Sequence, residues 1–200
     1  MGLAWMGVYQ PWWPSTLVFL LNAFNIVDGG IDPRIYILVG NMLLPLLFIT
    51  WFMGATEMLF RKKRWLIVGI YAAITILMDI IIIYFIIVDY TFLAEISVVN
   101  ADYNLLMMIY LLFLAGSISG TGILMGRESL LGEDPKLKAK GRFLISASVF
   151  YVFLALLDLG LVDSIPAILF ITRSIMMVSS ILFYFGFFLP KPLEKAFIKQ

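Results

Sequence analysis

The chain has 200 residues, of which 62% are hydrophobic and only 14% are charged, with a mean hydropathy of +1.02. Soluble domains are nearer half apolar and a quarter charged, so this composition predicts a multi-pass membrane protein. The net charge of +1 gives no basic field for nucleic acid. Because Cys and His are absent, disulfides, thiolate nucleophiles and metal sites built from those residues are excluded.

Six apolar segments indicate where the chain crosses the bilayer. A crossing helix needs about 20 apolar residues, and the first segment is short by that measure. We therefore expect an all-α fold, a six-span transmembrane helical bundle that forms a single domain over residues 1–200. The predicted spans are residues 14–27, 35–60, 65–88, 105–126, 143–161 and 167–189.

Prolines and asparagines indicate where the helices of the first two predicted spans start, end or bend. Pro14 can open the first helix, and the sequence DGGIDP, which follows Asn22 and Asn25, ends it. Pro45 lies in the middle of the second span and removes one backbone donor, which predicts a kink there, with Asn41 just before it.

The segments that connect the spans differ in charge. Residues 89–104 carry acidic residues and no basic one, and we expect a short interfacial turn at 92–99. Residues 127–142 are the one long polar stretch and are expected to form a loop. The tail at 191–200 is amphipathic and is expected to lie on the membrane surface.

Lysine and arginine residues are very unequal between alternate loops. Residues 61–64 hold four, residues 127–142 hold five and residues 191–199 hold three, whereas the other side holds only Arg34. The positive-inside rule therefore predicts a cell-membrane protein with both termini in the cytoplasm. One basic run is expected to anchor this topology through lipid phosphates, with a regulatory site as the alternative. It consists of Arg61, Lys62, Lys63 and Arg64.

Arg173 lies in the outer half of the last predicted span. A guanidinium at that depth costs several kcal/mol unless it is paired or hydrated. It cannot lose its proton, so it should face protein with an anion within reach. Asp158 in the fifth span is the expected direct partner, and Asp79 in the third span is the second candidate.

Helical spacing gives each of these three spans a stripe of small and hydroxylated residues next to its charge. We expect the stripes to meet in a buried ion-pair cluster. The six residues of this cluster are Asp79, Asp158, Arg173, Asn41, Tyr151 and Ser180. The cluster either is a buried salt bridge that fixes helix register, or is a ligand, ion or proton site that opens outward. The stripes are Arg173, Met177, Ser180 and Tyr184; Ala147, Tyr151, Ala155 and Asp158; and Ala72, Thr75 and Asp79.

Glycines recur at a spacing of four in the fourth span. Gly116 and Gly120 form one such pair, and Gly122 and Gly126 form another. Small residues at this spacing let helix backbones approach closely. The pairs indicate packing within the chain or, alternatively, either a face for a homo-oligomer or another protein partner, or a flexible break in the helix.

Motifs that carry catalysis are absent from the sequence. There is no phosphate-binding loop, dinucleotide fingerprint or nucleophile elbow. The final spans hold no Lys for a covalent retinal. We therefore expect a protein that is not an enzyme, with no catalytic residue, no metal site and no cofactor, and with membrane lipids among its contacts.

The second half of the chain carries a recognisable pattern. DPKLKAKGRFLISASVFYVFLALLD is followed by a turn and then by RSIMMVSSILFYFGFFLPKPLEKAF. This pattern resembles the membrane sensor regions of microbial, notably archaeal, signalling proteins, which are related to the seven-span N-terminal regions of histidine kinases. The shared features are the basic stretch before the fifth span, Asp158, Arg173 and the FGFFLP exit at 185–190.

The resemblance implies sensing through a seven-span plan that has lost one helix. Ten residues follow Pro190, so no kinase domain is expected after it. The first hypothesis is therefore a sensor-like or assembly subunit that acts through a partner. The alternative is a small transporter or channel that uses the Arg–Asp cluster for an ion or a small anionic solute, and an enzyme acting on lipid comes third.

Overall fold

The computed structural model describes residues 4, 7–98, 100–161 and 166–197. These residues are mostly helical, and five helical segments among them are long and apolar enough to cross a membrane. The chain is therefore a multi-pass helical membrane protein, as its composition predicts. The segments are Pro33–Leu59, Arg61–Val88, Leu105–Leu131, Pro135–Leu159 and Ile171–Phe188.

The first predicted span contains a helix that is shorter than expected. A 3₁₀ turn at Gln10–Trp12 leads into α1, Trp13–Ala23, which has 11 residues and is about 16 Å long. Asn22 ends α1 by exchanging hydrogen bonds with the backbone of Gly29, at 2.7 and 3.1 Å. Gly29 has φ +102°, a conformation that glycine adopts without strain. Residues 24–27 are therefore not helical, and a sixth span stays a prediction.

Pro45 breaks the second predicted span into two helices. Helix α2, Pro33–Asn41, starts where the Asp32 side chain accepts a hydrogen bond from the Arg34 N–H at 2.8 Å. Helix α3, Leu44–Leu59, has Pro45 in its first turn. A kink in one continuous helix was predicted, but α2 ends and α3 starts as a separate helix. Proline fits the first turn of a helix, because the N–H that it lacks is not needed there.

A 3₁₀ turn at Arg61–Lys63 connects α3 to α4, Arg64–Val88. Phe52 of α3 stacks on Tyr71 of α4 with ring centroids 3.6 Å apart. One face of α4 is buried, and most of its other apolar side chains are exposed, as expected for a helix that lipid surrounds. The buried residues are Val68, Thr75, Met78, Ile82 and Ile86.

Two short strands occupy the segment where an interfacial turn was predicted. Strand β1, Ala94–Ile96, pairs antiparallel with β2, Ala101–Tyr103, and Ala94 lies opposite Tyr103. A 3₁₀ turn at Tyr90–Phe92 precedes the strands. The fold as a whole agrees with the all-α expectation, but the turn predicted at 92–99 is replaced by paired strands. A three-residue strand is too short to show alternation in the sequence. Val99 itself lies outside the described residues.

The polar stretch at 127–142 is mostly helical, which contradicts the predicted loop. Helix α5 covers Leu105–Leu131 and α6 covers Pro135–Leu156, so only three residues connect them. Asp134 caps α6 by accepting a hydrogen bond from the Lys136 N–H at 2.8 Å. Charged residues prolong both helices beyond their apolar parts, which a search for apolar runs cannot detect.

Helix α6 continues as a π-helix at Leu157–Leu161, and α7 covers Pro166–Phe188. A last helix, α8, covers Lys191–Phe197, so the tail is helical as far as the structure describes it, and residues 198–200 lie outside that part. The chain divides into an N-terminal unit, Met1–Met108, and a C-terminal unit, Ile109–Gln200. Each is described by itself.

Small residues hold α5, α6 and α7 together. A Cβ built on Gly126 would lie 2.8 Å from the carbonyl oxygen of Gly141, so these two backbones are in direct contact. Gly186 of α7 packs equally closely on Leu144 of α6. The Ser179 hydroxyl of α7 donates a hydrogen bond to the Ala147 carbonyl at 3.0 Å.

Candidate functional site

Arg173 and Asp158 form an ion pair in the C-terminal unit. The distance from Arg173 Nε to Asp158 Oδ1 is 3.5 Å, which is longer than a good hydrogen bond. The Asp158 side chain is 7% exposed, but the Arg173 side chain is 29% exposed. The expected buried salt bridge is therefore not found, because the guanidinium lies at the edge of the helix packing and its carboxylate partner lies beneath it.

The π-helix sets the position of Asp158. Ala147, Tyr151 and Ala155 are 0%, 4% and 0% exposed, and Asp158 follows them at the start of the π-helix. A π-helix inserts an extra residue into a turn, and such turns are frequent at functional sites. The predicted stripe on α6 is thus inside, and the sequence gives no sign of the irregular turn that ends it.

The predicted stripe on α7 is wrong by one residue. Met177 and Tyr184 are 69% and 51% exposed, and Ser180 is half-buried. The expectation placed Arg173 on the buried face together with these three residues, but a long arginine stem can reach a partner from the edge of that face. The buried face of α7 consists of Thr172, Met176, Ser179 and Phe183.

Asp79 and Asn41 belong to the N-terminal unit, whereas Arg173, Asp158, Tyr151 and Ser180 belong to the C-terminal unit. A cluster that joins all six stays a prediction. Asp79 is half-buried on α4, and its neighbour Thr75 is 0% exposed. Asn41, the last residue of α2, is also 0% exposed, and its Nδ2 donates a hydrogen bond to the Ile37 carbonyl at 2.9 Å.

A second polar group, which was not predicted from the sequence, joins the start of the chain to α2. Gln10 is 1% exposed, and its Nε2 donates a hydrogen bond to the Val39 carbonyl at 2.9 Å. The hydroxyls of Ser15 and Tyr36 are hydrogen-bonded at 2.7 Å. A glutamine in an aromatic, proline-rich segment could have signalled this contact, since a buried amide needs a partner.

The basic turn at 61–64 is partly neutralised by Glu57. Glu57 lies 2.5 Å from Arg64 and 3.3 Å from Arg61, and its side chain is 43% exposed. Arg64 also lies over the Trp65 ring at 5.1 Å. Lys62 and Lys63 are exposed. The turn keeps an excess of positive charge, and its contact with lipid phosphates stays a prediction.

The two glycine pairs of α5 have different surroundings. Gly122 packs against Ser148, and Gly126 packs against Gly141, so this pair mediates contacts within the chain. A Cβ at Gly116 or Gly120 would meet no atom within 4 Å among the described residues. Packing among the described residues therefore does not explain Gly116 and Gly120.

Among the residues that the structure describes, no group of three or more His, Cys, Asp or Glu side chains could hold a metal ion. The chain matches no family model, no curated protein and no solved structure. Its function must therefore be inferred from the geometry alone.

Proposed function

We propose that this protein is a sensor-like or assembly subunit of the cell membrane that acts through a protein partner or a second copy of itself, and that it is not an enzyme. The observation that carries the proposal is the open glycine face of α5. Gly116 and Gly120 are exposed and meet no described side chain. In a bilayer, helices associate through close backbone packing at such faces, because burial of apolar surface gives little driving force there.

The side chains around these glycines suit a second helix. Ile109 is 58% exposed, Phe113 is 42% exposed and Leu124 is 39% exposed, and they lie on the same face at helical spacing. Gly116 and Gly120 lie between Phe113 and Leu124 on this face, so the face is low at the glycines and has apolar side chains on either side of them along the helix. The resemblance to sensor regions of histidine kinases supports the same reading, since such regions act on other parts of a signalling assembly.

Cysteine cross-linking tests the proposal directly, since the chain contains no native Cys. A Gly120→Cys variant in native membranes, either oxidised or treated with a thiol-to-amine cross-linker, is expected to yield one stoichiometric product: a dimer of the chain or a defined hetero-complex. A second variant, Gly116→Leu in the same background, should abolish that product. Gly69→Leu is the matched control, because Gly69 is also an exposed helical glycine without neighbours. A chain that remains monomeric in every membrane preparation contradicts the proposal.

A small transporter or channel is the second candidate. The ion pair of Arg173 and Asp158 favours it, because a partly exposed arginine side chain can bind a small anion while the Asp158 carboxylate holds the guanidinium in place. Flux of the solute into liposomes should then fall in Arg173→Ala and in Asp158→Asn. Flux equal to that of the wild type in both variants argues against transport through this pair.

We further propose six spans with both termini in the cytoplasm. Residues 7–23 are helical apart from a turn at Tyr9, and a helix of that length is about 26 Å long. Phe19 and Leu20 are 65% and 45% exposed, as lipid-facing residues would be. The basic segments at 61–64 and 127–142 are separated by two spans, so they fall on the same, cytoplasmic side.

A further inference from the structure

Three enclosed amide or carboxylate oxygen atoms among the described residues of the N-terminal unit need a positive partner. Gln10 Oε1, Asn41 Oδ1 and Asp79 Oδ1 are buried, and no hydrogen-bond donor to them lies in the described part of the chain. Amide oxygens and ionised carboxylate oxygens only accept hydrogen bonds or bind cations. Since buried acceptors are normally satisfied, the interior of this unit is built to receive a proton donor or a cation.

The break between α2 and α3 adds backbone oxygens next to Asn41, the last residue of α2. Pro45 has no N–H, so the carbonyl of Asn41, four residues earlier, cannot receive the helical hydrogen bond from that position. Gln10 donates to the neighbouring Val39 carbonyl. The C-terminal end of a helix also carries a partial negative charge, which favours cations.

The register of the α3–α4 pair brings Asp79 to the level of this break. Phe52 stacks on Tyr71, which fixes the two helices side by side. Leu44, the first residue of α3, lies eight residues before Phe52, and Asp79 lies eight residues after Tyr71. Because the helices are consecutive and antiparallel, both lie about 12 Å along the axis from the stacked rings. Helix α2 also contacts α4.

We propose that the break between α2 and α3 is a sodium site. The Asp79 carboxylate neutralises the ion, and the Asn41 amide oxygen and backbone carbonyls at the end of α2 complete an oxygen-only coordination shell. One carboxylate matches a single positive charge, whereas protein sites for divalent cations usually gather several acidic oxygens. Unwound carbonyls of interrupted membrane helices are established ligands for Na⁺. This inference does not depend on the proposed partner face.

Thermal unfolding in sodium-free choline chloride, with Na⁺ added at constant ionic strength, tests the site. The wild-type midpoint should rise with the logarithm of the Na⁺ concentration once that concentration exceeds the dissociation constant, because a ligand that binds only the folded state stabilises it. Asp79→Asn should abolish this rise. Asn41→Ala should raise the Na⁺ concentration at which the rise begins by about tenfold or more, as expected for losing one ligand to a charged group. Asp89→Asn, an exposed carboxylate just beyond α4, is the control and should respond as the wild type does.

Equilibrium binding of radioactive Na⁺ to the wild-type protein keeps the proposal falsifiable if Asp79→Asn does not fold. The expected stoichiometry is about one ion per chain, and Asp79→Glu should retain binding at lower affinity. A wild-type protein without saturable Na⁺ binding, or an Asp79→Asn variant with an unchanged response, overturns the sodium site. Either result leaves the cross-linking test of the partner face unaffected.

Discussion

At the scale of single residues, a charged residue in an apolar run indicates that it needs a partner, but it does not indicate which face of its helix is buried. Arg173 does contact Asp158, yet the buried face of α7 passes through Ser179 and Phe183. A flexible stem several ångströms long separates the guanidinium from its backbone. Sequence reasoning therefore identifies the charges on α6 and α7 more reliably than the neutral residues around them.

Asp89 offers a pH prediction outside the membrane spans. Hydrogen bonds from the Thr91 hydroxyl and from the Thr91 N–H, at 2.6 and 3.1 Å, lower the pKa of Asp89 below its ordinary value of 3.8. Since the folded pKa is the lower one, the ionised carboxylate stabilises this turn above pH 3.8, and that stabilisation disappears as the pH falls through the folded pKa.

Carbon NMR of the Asp89 carboxyl group in micelles measures this titration. We expect a midpoint below 3.8 in the wild type and a higher midpoint in Thr91→Val, which removes the hydroxyl donor but keeps the backbone N–H. A wild-type midpoint at or above 3.8 contradicts the prediction.

At the scale of elements, helix positions follow from apolar runs and prolines, whereas helix ends follow from polar contacts that the sequence hides. Pro45 correctly marks an interruption, and α4 starts one residue before its predicted boundary. The helical extensions were missed because the last turn of α5 and the first two turns of α6 carry charged residues. The β1–β2 pair depends on contacts such as that from the Asn104 side chain to the Phe92 carbonyl, which no local pattern encodes.

The contact between α5 and α6 gives a prediction at this scale. Gly141→Ala places a methyl group against the backbone of Gly126, which cannot move aside as a side chain can. The free energy of unfolding should fall by about 1–3 kcal/mol, a typical cost of overpacking.

Gly116→Ala is the matched control on an open helix surface. It should leave stability unchanged or raise it by up to about 1 kcal/mol, because alanine favours helix more than glycine does. Both values can be measured by reversible unfolding in mixed micelles. Equal effects of the two substitutions show that α5 and α6 do not touch at these glycines.

At the scale of the whole molecule, composition was sufficient to predict a multi-pass helical protein, but span number depends on one segment. Helix α1 alone is too short for a hydrocarbon core of about 30 Å. Hydropathy averages over residues 14–27 and does not register the hydrogen bonds between Asn22 and Gly29 that end the helix early. The basic segments at 61–64 and 127–142 are separated by two other spans, so the prediction that they share one side of the membrane does not depend on residues 14–27.

Single-cysteine labelling of sealed, right-side-out vesicles tests the topology. A membrane-impermeant reagent should label Asp102→Cys, in the exposed β2 strand, and should spare Lys138→Cys, on the exposed surface of α6. Gly2→Cys should also be spared if six spans are present. Labelling of Gly2→Cys with the other two unchanged shows five spans and an external start, and labelling of Lys138→Cys reverses the proposed orientation.

The short connection between α5 and α6 has a mechanical consequence. Helix α5 is 27 residues and therefore about 40 Å long, some 10 Å more than the hydrocarbon layer it crosses. Its end and the start of α6 form a stiff, positively charged stalk instead of a loose tether. A protein that docks on this stalk meets a preordered surface and loses little chain entropy on binding. Because the stalk is rigid, a tilt of α5 or α6 within the bilayer would move the tip of the stalk sideways relative to the membrane surface.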